Sequence, residues 1–359
     1  MKVLLLTSAE PRQRYGFSMI EKRFPLGLGM LGTILQEEGH EVVLHDRFLL
    51  GAASYPPEDD WDLVGIYSNT PCVKDTLHLI DHYKARGCRV AVGGPHASLF
   101  PESLSKADIV CQGEGEVVIV DILEYPEDFN HVITCPRVQD LDALPMVDYN
   151  LFTSDKYQTD MLFAPGKFYN MCTSRGCPYG CSFCDVKRIW GRTYKAQSSA
   201  RVVEEAGYLQ DDYDIDGIYF REDNFTVKPL RAVEIAKGLA DRGMFWACES
   251  RVDTVDQPTL ATLGANGCVG LYIGIESGSQ RMLDLYNKQI TVQQVDNVLT
   301  WCWDSGIQVM GSFITDHPEE THEDKQATTD LIAKHRNRAL VKVNLNKWRN
   351  FDAYEKFLS

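Results

Sequence analysis

Short apolar runs that alternate with amphipathic helical patterns are the feature that most constrains the fold of this 359-residue chain. The run Lys2–Ser8 is apolar enough for a strand buried on both faces, and Asp75–Arg86 has the periodicity of a helix that ends at Gly87. Further strands are predicted at residues 40–46, 63–69, 89–94 and 107–111. Such alternation is typical of a parallel sheet with helices on both faces. Residues 1–135 therefore predict a doubly wound, Rossmann-like domain.

The same alternation continues in the second half of the chain. Strands are predicted at residues 167–173, 217–220, 245–250, 271–275 and 308–314, with helices between them. This repeat is typical of a (β/α) barrel, but the units are too few for eight strands. We therefore predict an α/β protein whose residues 165–345 form a partial (β/α)6 barrel of the TIM type. Residues 136–164, acidic and marked by proline, predict a linker, and residues 346–359 predict a C-terminal tail.

One loop of the second half carries the clearest chemical signal. Cys177, Cys181 and Cys184 are separated by three and two residues, and Pro178 and Gly180 favour a tight, non-helical backbone. Three thiolates in this spacing can hold a [4Fe–4S] cluster and leave one iron open to another ligand. Three unrelated buried cysteines would not need so dense a pattern. Zinc fits less well, because it usually takes four ligands in paired C-x-x-C spacing and no second pair is present.

Polar residues gather where the predicted barrel strands end. Glu222, Arg251 and Glu276 each follow a different strand. The carboxyl ends of barrel strands meet at one face, where barrel enzymes build their active sites. Any one of these residues taken alone would also fit a solvated loop charge. Their recurrence at successive strand ends favours a site beside the cysteine loop.

Charge and cysteine usage limit the class of protein. The net charge of −15 argues against broad contact with phosphate backbones, so no nucleic-acid partner is expected. No apolar run is long enough to span a bilayer, and the opening Met1–Leu6 is too short for a signal peptide. The eleven cysteines are odd in number, and without an export signal they indicate a reducing compartment. A cytoplasmic location is therefore predicted.

The cysteine loop and its flanks resemble a known family. Residues 173–184, Thr-Ser-Arg-Gly-Cys-Pro-Tyr-Gly-Cys-Ser-Phe-Cys, look like the cluster loop of radical S-adenosylmethionine (SAM) enzymes. The N-terminal half resembles the cobalamin-binding domain that often precedes them, notably at residues 25–32, 93–96 and 113–116. The resemblance covers nearly the whole chain. It identifies the chemistry much more specifically than the substrate.

The resemblance implies roles for individual residues. Cys177, Cys181 and Cys184 would hold the [4Fe–4S] cluster, and SAM would chelate its open iron. The residues implied to contact SAM are Phe183, Glu222, Asp223, Ser250, Arg251, Ile275 and Glu276. Among them, Arg251 would lie near the carboxylate and ribose, where an arginine–carboxylate pair is physically apt. The resemblance assigns no catalytic residue.

Cobalamin is the third cofactor that the resemblance implies. Its contacts would come from the glycine-rich strand ends of the N-terminal half: Ser68, Asn69, Thr70, Gly93, Gly94, Gly113, Glu114 and Gly115. The Asp-x-His-x-x-Gly signature, whose histidine ligates cobalt in many cobalamin proteins, is absent. A domain that keeps the fold without the cofactor therefore stays open as an alternative.

The implied reaction is reductive cleavage of SAM to methionine and a 5′-deoxyadenosyl radical, which abstracts hydrogen from an unactivated carbon. With cobalamin, C-methylation of a small-molecule or peptide substrate is expected, and an external flavodoxin or ferredoxin would supply the electrons. With a cofactor-free N-terminal domain, cyclisation, rearrangement or oxidation are the alternatives. A non-catalytic iron–sulfur protein is an alternative from another class.

Overall fold

A computed structural model describes residues 1–9, 23–57, 60–153, 156–157, 163–336 and 338–348. The chain divides into two compact units, Met1–Gln158 and Thr159–Arg349. The predicted tail beyond residue 348 and parts of the predicted linker lie outside the described residues. Within the described residues, no helix has the length and apolar character needed to cross a membrane.

The first unit is a parallel sheet flanked by helices. Its strands are β1 (Lys2–Thr7), β2 (Glu41–His45), β3 (Leu63–Tyr67), β4 (Arg89–Gly93), β5 (Ile109–Gln112) and β6 (Val132–Thr134). Its α-helices are α1 (Leu26–Glu37), α2 (Arg47–Leu50), α3 (Val73–Lys84), α4 (Pro95–Leu99) and α5 (Ile119–Glu124). The strand order is β2-β1-β3-β4-β5-β6, and every neighbouring pair is parallel. The predicted Rossmann-like sheet is confirmed.

The interior strand β1 shows why this sheet forms. Its residues Val3, Leu4, Leu5 and Leu6 are all fully buried, as a strand covered by helices on both faces requires. Because β3, β4 and β5 are adjacent and parallel, the loops that follow them emerge at one edge of the sheet. Ligands of open α/β sheets bind at this edge.

Much of the segment predicted as a linker packs into the first unit. Val147 and Phe152 lie against α1 at Gly29, where an added Cβ would come within 2.6 Å of the Phe152 ring. The Asp148 amide donates a hydrogen bond of 2.9 Å to Thr33 Oγ1. These apolar residues stand between prolines without a helix or strand period, so the sequence pattern did not reveal their burial.

The second unit is the predicted partial barrel. Its strands are β7 (Phe168–Met171), β8 (Ser174–Arg175), β9 (Lys195–Ala196), β10 (Gly217–Phe220), β11 (Phe245–Arg251), β12 (Cys268–Glu276), β13 (Gln308–Thr315) and β14 (Leu340–Lys347). Its α-helices are α6 (Val186–Trp190), α7 (Ser199–Tyr213), α8 (Pro229–Asp241), α9 (Gln257–Ala265), α10 (Gln280–Leu285), α11 (Val292–Asp304) and α12 (His322–His335). The order β14-β13-β12-β11-β10-β7 is parallel throughout, which gives the six expected barrel strands.

The strands β8 and β9 form a separate antiparallel ribbon around the cysteine loop. This ribbon was not predicted, and neither were α10, α12 and β14. Each is short, polar or placed among loop residues, so that its periodicity is weak.

Candidate functional site

A cavity in the second unit lies at the carboxyl ends of the barrel strands. It has about 710 Å³ of empty space, part of it open to solvent. All three loop cysteines line it, together with residues from the ends of β11, β12 and β13. The structure thus places the cysteine loop and polar residues from several strand ends around one space.

A buried network holds the start of the cysteine loop. The carboxylate of Glu222 accepts hydrogen bonds from the Thr173 amide at 2.6 Å, from Thr173 Oγ1 at 2.5 Å and from the Ser174 hydroxyl. Arg231 donates to Thr173 Oγ1 at 2.7 Å and to the Gln197 carbonyl at 2.7 Å. All five side chains are buried. The network therefore ties the two chain segments that flank the loop to each other and to the end of β10.

Gly176 makes the turn into the loop. Its φ of +86° lies in the left-handed region, and an added Cβ would come within 2.4 Å of the Thr193 carbonyl oxygen. Its amide donates a 2.9 Å hydrogen bond to Asp223. Burial raises the pKa of this carboxyl, and the Gly176 amide opposes the shift. Asp223 thus lines the cavity while one of its oxygens holds the loop backbone.

The far side of the loop is held by residues 285–288, which we name the clamp segment. The Ser182 amide donates to the Tyr286 carbonyl at 2.9 Å, and the Ser182 hydroxyl donates to the Leu285 carbonyl at 3.3 Å. Asn287 Nδ2 donates to the Gly180 carbonyl at 2.9 Å. The sequence analysis missed this segment, because it follows the short helix α10, which was not predicted.

Arg251 is the most heavily engaged side chain at the cavity. Its guanidinium forms a bidentate pair with Asp253, at 2.9 and 3.0 Å, and donates to the Lys288 carbonyl at 2.8 Å. It also donates to Cys181 Sγ at 3.1 Å and lies 3.8 Å from the centre of the Tyr179 ring. Its side chain is 6% exposed. These contacts fix the guanidinium against the cysteine loop.

A buried ion pair forms another part of the wall. Glu276 lies where the register between β12 and β13 shifts, and its φ of +72° is unusual for a residue with a side chain. Lys288 Nζ lies 2.9 Å from its carboxylate. Both residues are buried and line the cavity. Lys288 was not predicted, since the sequence pattern gave no sign that the clamp segment returns to the site.

Glu249 is a further carboxyl at the cavity that was not predicted. It accepts a 3.0 Å hydrogen bond from the Tyr219 hydroxyl, and it lines the cavity with Tyr272. Burial raises its pKa to about 7, with a further contribution from Asp223, whereas Arg221 and Tyr219 oppose the shift. Glu249 can therefore hold or release a proton near neutral pH.

The residues predicted to contact SAM fall into two groups. Phe183, Asp223, Ser250, Arg251 and Glu276 line the cavity. Glu222 and Ile275 do not belong to the lining. Glu222 lies beneath the loop, with its oxygens occupied by the network above, and the Ile275 side chain is fully buried. Their place in the structure is to hold the loop and the strand that carry lining residues.

The cysteine loop fits an iron–sulfur cluster better than a single ion. Among the residues that the structure describes, no three His, Cys, Asp or Glu side chains come close enough to hold one metal ion. Around one zinc, with Zn–S near 2.3 Å, the sulfurs would lie within about 4 Å of each other. In a cubane cluster each thiolate binds a different iron. Burial raises the pKa of the Cys184 thiol to about 11, so cluster loading must release protons.

Cys172, which precedes the cysteine loop, is exposed. Its sulfur donates weakly to the Ser174 carbonyl at 3.4 Å. It stands outside the cavity lining, and the three cysteines of the loop remain the proposed ligands.

In the first unit, the predicted cobalamin contacts lie at the carboxyl edge of the sheet, but their polar side chains are bonded to other residues of the same unit. Ser68 Oγ lies 2.7 Å from Thr76 Oγ1, Asn69 accepts from the Cys72 amide at 3.1 Å, and Thr70 Oγ1 lies 3.2 Å from His96 Nδ1. Glu114 accepts from the Val138 amide and lies 3.9 Å from Arg137. These side chains shape the edge from within.

The glycines of this edge differ in the room around them. Gly94 has a φ of +97°, and an added Cβ would lie 2.7 Å from the Ser68 carbonyl, so internal packing requires it. Gly113 and Gly115 would also bring a Cβ to 3.3 Å from a neighbour. At Gly93 a Cβ would meet nothing nearer than 3.9 Å. Among the predicted glycines of this edge, Gly93 therefore has the most room beside its backbone.

His96 is the histidine of this edge, and it is fully buried. Its Nε2 lies 2.9 Å from Ser103 Oγ, and burial lowers its pKa to about 4. A buried, neutral and doubly bonded imidazole is a structural group. Its place in α4 and its two hydrogen-bonded nitrogens fit a structural role better than a role as a ligand.

Comparison with known proteins matches both units. The radical SAM superfamily model matches residues 171–332, and the B12 binding domain model matches residues 22–123. An uncharacterized methyltransferase of Pyrococcus horikoshii is 31% identical over 340 residues, covering 86% of this chain and 73% of the relative. Cytidylyl-2-hydroxyethylphosphonate methyltransferase of Streptomyces wedmorensis is 25% identical, covering 92% and 76%.

The fold also matches a solved structure. The radical SAM methyltransferase TsrM from Kitasatospora setae, with cobalamin and a [4Fe–4S] cluster bound, aligns with a TM-score of 0.70. The identity is 18%, and the match covers 96% of this chain and 74% of that one. Together with the matched domains and the cysteine loop, these findings show that the chain belongs to the radical SAM superfamily, in the class with an N-terminal B12-binding domain.

Proposed function

We propose that this enzyme is a cobalamin-dependent methyltransferase that methylates an unactivated carbon of a small-molecule or peptide substrate. The observation that carries the proposal is that all three loop cysteines line one cavity together with Asp223, Arg251 and other strand-end residues, in a chain that also has a B12-binding domain. When bound, the cluster and SAM supply a radical that abstracts hydrogen, and cobalamin supplies a methyl carrier.

Cys177, Cys181 and Cys184 hold the cluster in this proposal. Their backbone is fixed from three directions, by Glu222 below, by Asp223 at the turn and by the clamp segment on the far side. Such support is what keeps a ligand set within the narrow geometry that a reactive centre needs.

SAM occupies the space beside the loop, where the lining residues offer both charge signs. Asp223 suits the ammonium group of the methionine moiety, because it lines the cavity and the Gly176 amide engages its Oδ2 and not its Oδ1. Phe183, Ser250 and Glu276 border the remaining space.

The corrinoid lies at the carboxyl edge of the first unit. Gly93 and its neighbours in β3 and β5 present backbone there, and the predicted polar side chains hold the loops in place. No step of the proposal depends on a histidine ligand from His96, which is buried and bonded.

Radical SAM enzymes need a reductant and a small-molecule substrate. We assign the electron supply to an external flavodoxin or ferredoxin and the location to the cytoplasm. The eight cysteines outside the cluster loop form no disulfide with one another, which supports a reducing compartment.

Anaerobic reconstitution with and without cobalamin tests the proposal. The wild-type chain should bind iron and sulfide, show corrinoid absorption after cobalamin loading, and form 5′-deoxyadenosine and S-adenosylhomocysteine under reductant. Cys184→Ala should lose SAM cleavage, and the matched control Cys172→Ala should keep it. 5′-Deoxyadenosine without corrinoid binding or methyl transfer would refute the methyltransferase reading and favour a cofactor-free first unit. No SAM cleavage at all would favour a non-catalytic iron–sulfur protein.

A further inference from the structure

We propose that Arg251 is a positioning residue for the cluster: it donates a hydrogen bond to the thiolate of Cys181 and raises the reduction potential, instead of binding the carboxylate of SAM. This inference rests on the proposed function, since it requires a cluster at the cysteine loop. It assigns Arg251 a role different from the one that the family resemblance implied.

Most N–H donors of the Arg251 guanidinium are already hydrogen-bonded within the protein. Arginine has five N–H donors in a rigid fork. Four of them are occupied: two by Asp253, one by the Lys288 carbonyl and one by Cys181 Sγ. Only one N–H is left, so Arg251 has no pair of parallel donors with which to grip a second carboxylate.

The surroundings of the guanidinium prevent it from turning toward a ligand. One face lies on the Tyr179 ring at 3.8 Å, and the side chain is almost wholly buried. A rotation that freed two donors would break the pair with Asp253 and the bond to the clamp segment. The contacts therefore fix one N–H on Cys181 before any ligand arrives.

A hydrogen bond to a ligand sulfur acts on the electron affinity of the cluster. Hydrogen bonds to the sulfurs and nearby charge are among the factors that set iron–sulfur potentials. Reduction adds one negative charge to the cluster, and a buried N–H aimed at a thiolate stabilises that added charge. Because little water lies around the buried guanidinium to screen its charge, Arg251 raises the reduction potential more than an exposed arginine would.

Asp253 sets the strength of this effect. Its carboxylate neutralises part of the positive charge of Arg251, and both side chains are mostly buried. Removing the carboxylate charge should leave the guanidinium more positive toward Cys181. Substitutions of Arg251 and of Asp253 should therefore shift the reduction potential in opposite directions, which a general loss of structure would not do.

The test is a reductive titration of the reconstituted cluster, followed by electron paramagnetic resonance without SAM. Arg251→Gln should lower the equilibrium constant for reduction about tenfold, which is about 59 mV for a one-electron couple. Asp253→Asn should shift the potential the other way. Arg242→Gln is the control and should leave the potential unchanged, because Arg242 follows α8, donates to Asp211 on α7 and is not part of the cavity lining.

Binding of SAM and of decarboxylated SAM separates the two roles of Arg251. On our proposal, the ratio of the affinities for SAM and for decarboxylated SAM is the same in the wild type and in Arg251→Lys. A variant that keeps its potential but loses this preference would overturn the proposal and restore a carboxylate-binding role. Intact clusters with unchanged potentials in Arg251→Gln and Asp253→Asn would also overturn it. If Arg251→Gln takes up no cluster, the SAM preference of Arg251→Lys and the reduction potential of Asp253→Asn test the proposal in its place. A wild-type chain that binds no cluster would refute the proposed function itself.

Discussion

Replacement of Glu222 by glutamine tests whether this carboxylate supports the cysteine loop or contacts SAM. The carboxylate accepts three hydrogen bonds, two from Thr173 and one from Ser174. In Glu222→Gln the remaining oxygen can still accept from Thr173, and the new amide can donate to the Ser174 hydroxyl, which rotates to accept. The variant keeps its shape and loses the charge that strengthens these bonds.

The magnitude follows from the bonds involved. Hydrogen bonds to a charged group contribute about 1.5–3 kcal/mol each, against about 1 kcal/mol for neutral ones. Loss of charge on three bonds should therefore destabilise the second unit by about 3 kcal/mol. With an m value of about 2 kcal/mol/M, the urea midpoint should fall by about 1.5 M.

The assay is urea unfolding of the apoprotein, followed by tryptophan fluorescence, with iron and sulfide content as a second readout. Glu234→Gln is the matched control, because Glu234 accepts a hydrogen bond from Ser199 at the exposed surface. Its effect should stay within about 0.5 kcal/mol. If Glu222→Gln is as stable as this control and keeps its cluster but loses SAM affinity, Glu222 contacts SAM and the structural reading is wrong.

Three further predictions concern the same unit. Burial raises the pKa of Glu249 to about 7, so the folded protein still holds a proton that the unfolded chain releases above about pH 4.5. The free energy of unfolding is therefore highest, as far as Glu249 is concerned, below about pH 4.5, and it falls as the pH rises through 7. Relative to Glu249→Gln, the wild type should therefore lose up to about 3 kcal/mol of unfolding free energy between pH 4.5 and 8, and a constant difference across that range would contradict this. Gly176→Ala should abolish cluster uptake because its Cβ would meet the Thr193 carbonyl, whereas Gly243→Ala, which has open space around it, should retain the cluster in iron and sulfide analysis. Asn287→Ala should lower the cluster content and speed its loss to a chelator, since it removes the bond to the Gly180 carbonyl; an unchanged rate of loss would show that the backbone contacts of Ser182 suffice.

The sequence predicted what depends on local patterns. Strand bounds such as Gly217–Phe220 follow from apolar runs, and the spacing of Cys177, Cys181 and Cys184 indicates the cluster without any tertiary information. The gathering of Asp223 and Arg251 at one cavity follows from the rule that parallel strands end at the same face.

The rest depended on contacts between distant segments. Lys288 reaches the cavity because α10 and the clamp segment fold back on the loop, and no periodicity announces this return. Glu249 did leave a signal: a charged residue stood inside a predicted buried strand, two positions before Arg251, so the two share a face of the strand. A buried parallel strand with such a residue indicates a polar lumen.

The assignment of Glu222 shows a different limit. Its position at a strand end was correctly predicted, but the direction of its side chain was not. Thr173 and Ser174 offer three donors beneath the loop, and only the folded chain shows that these donors satisfy the carboxylate.

The clamp segment has a consequence for the order in which the holoprotein is made. The cysteines leave the ribosome about a hundred residues before Asn287, and the loop lacks its carbonyl contacts to Leu285 and Tyr286 until then. A ribosome-bound chain that ends near residue 260 would therefore present three thiols on a loop that lacks the support of the clamp segment. Delivery of iron and sulfide to the nascent chain should consequently be inefficient, and maturation should belong to the period after β12 and α10 have folded. Cellular scaffold proteins would then meet a substrate with a nearly complete barrel.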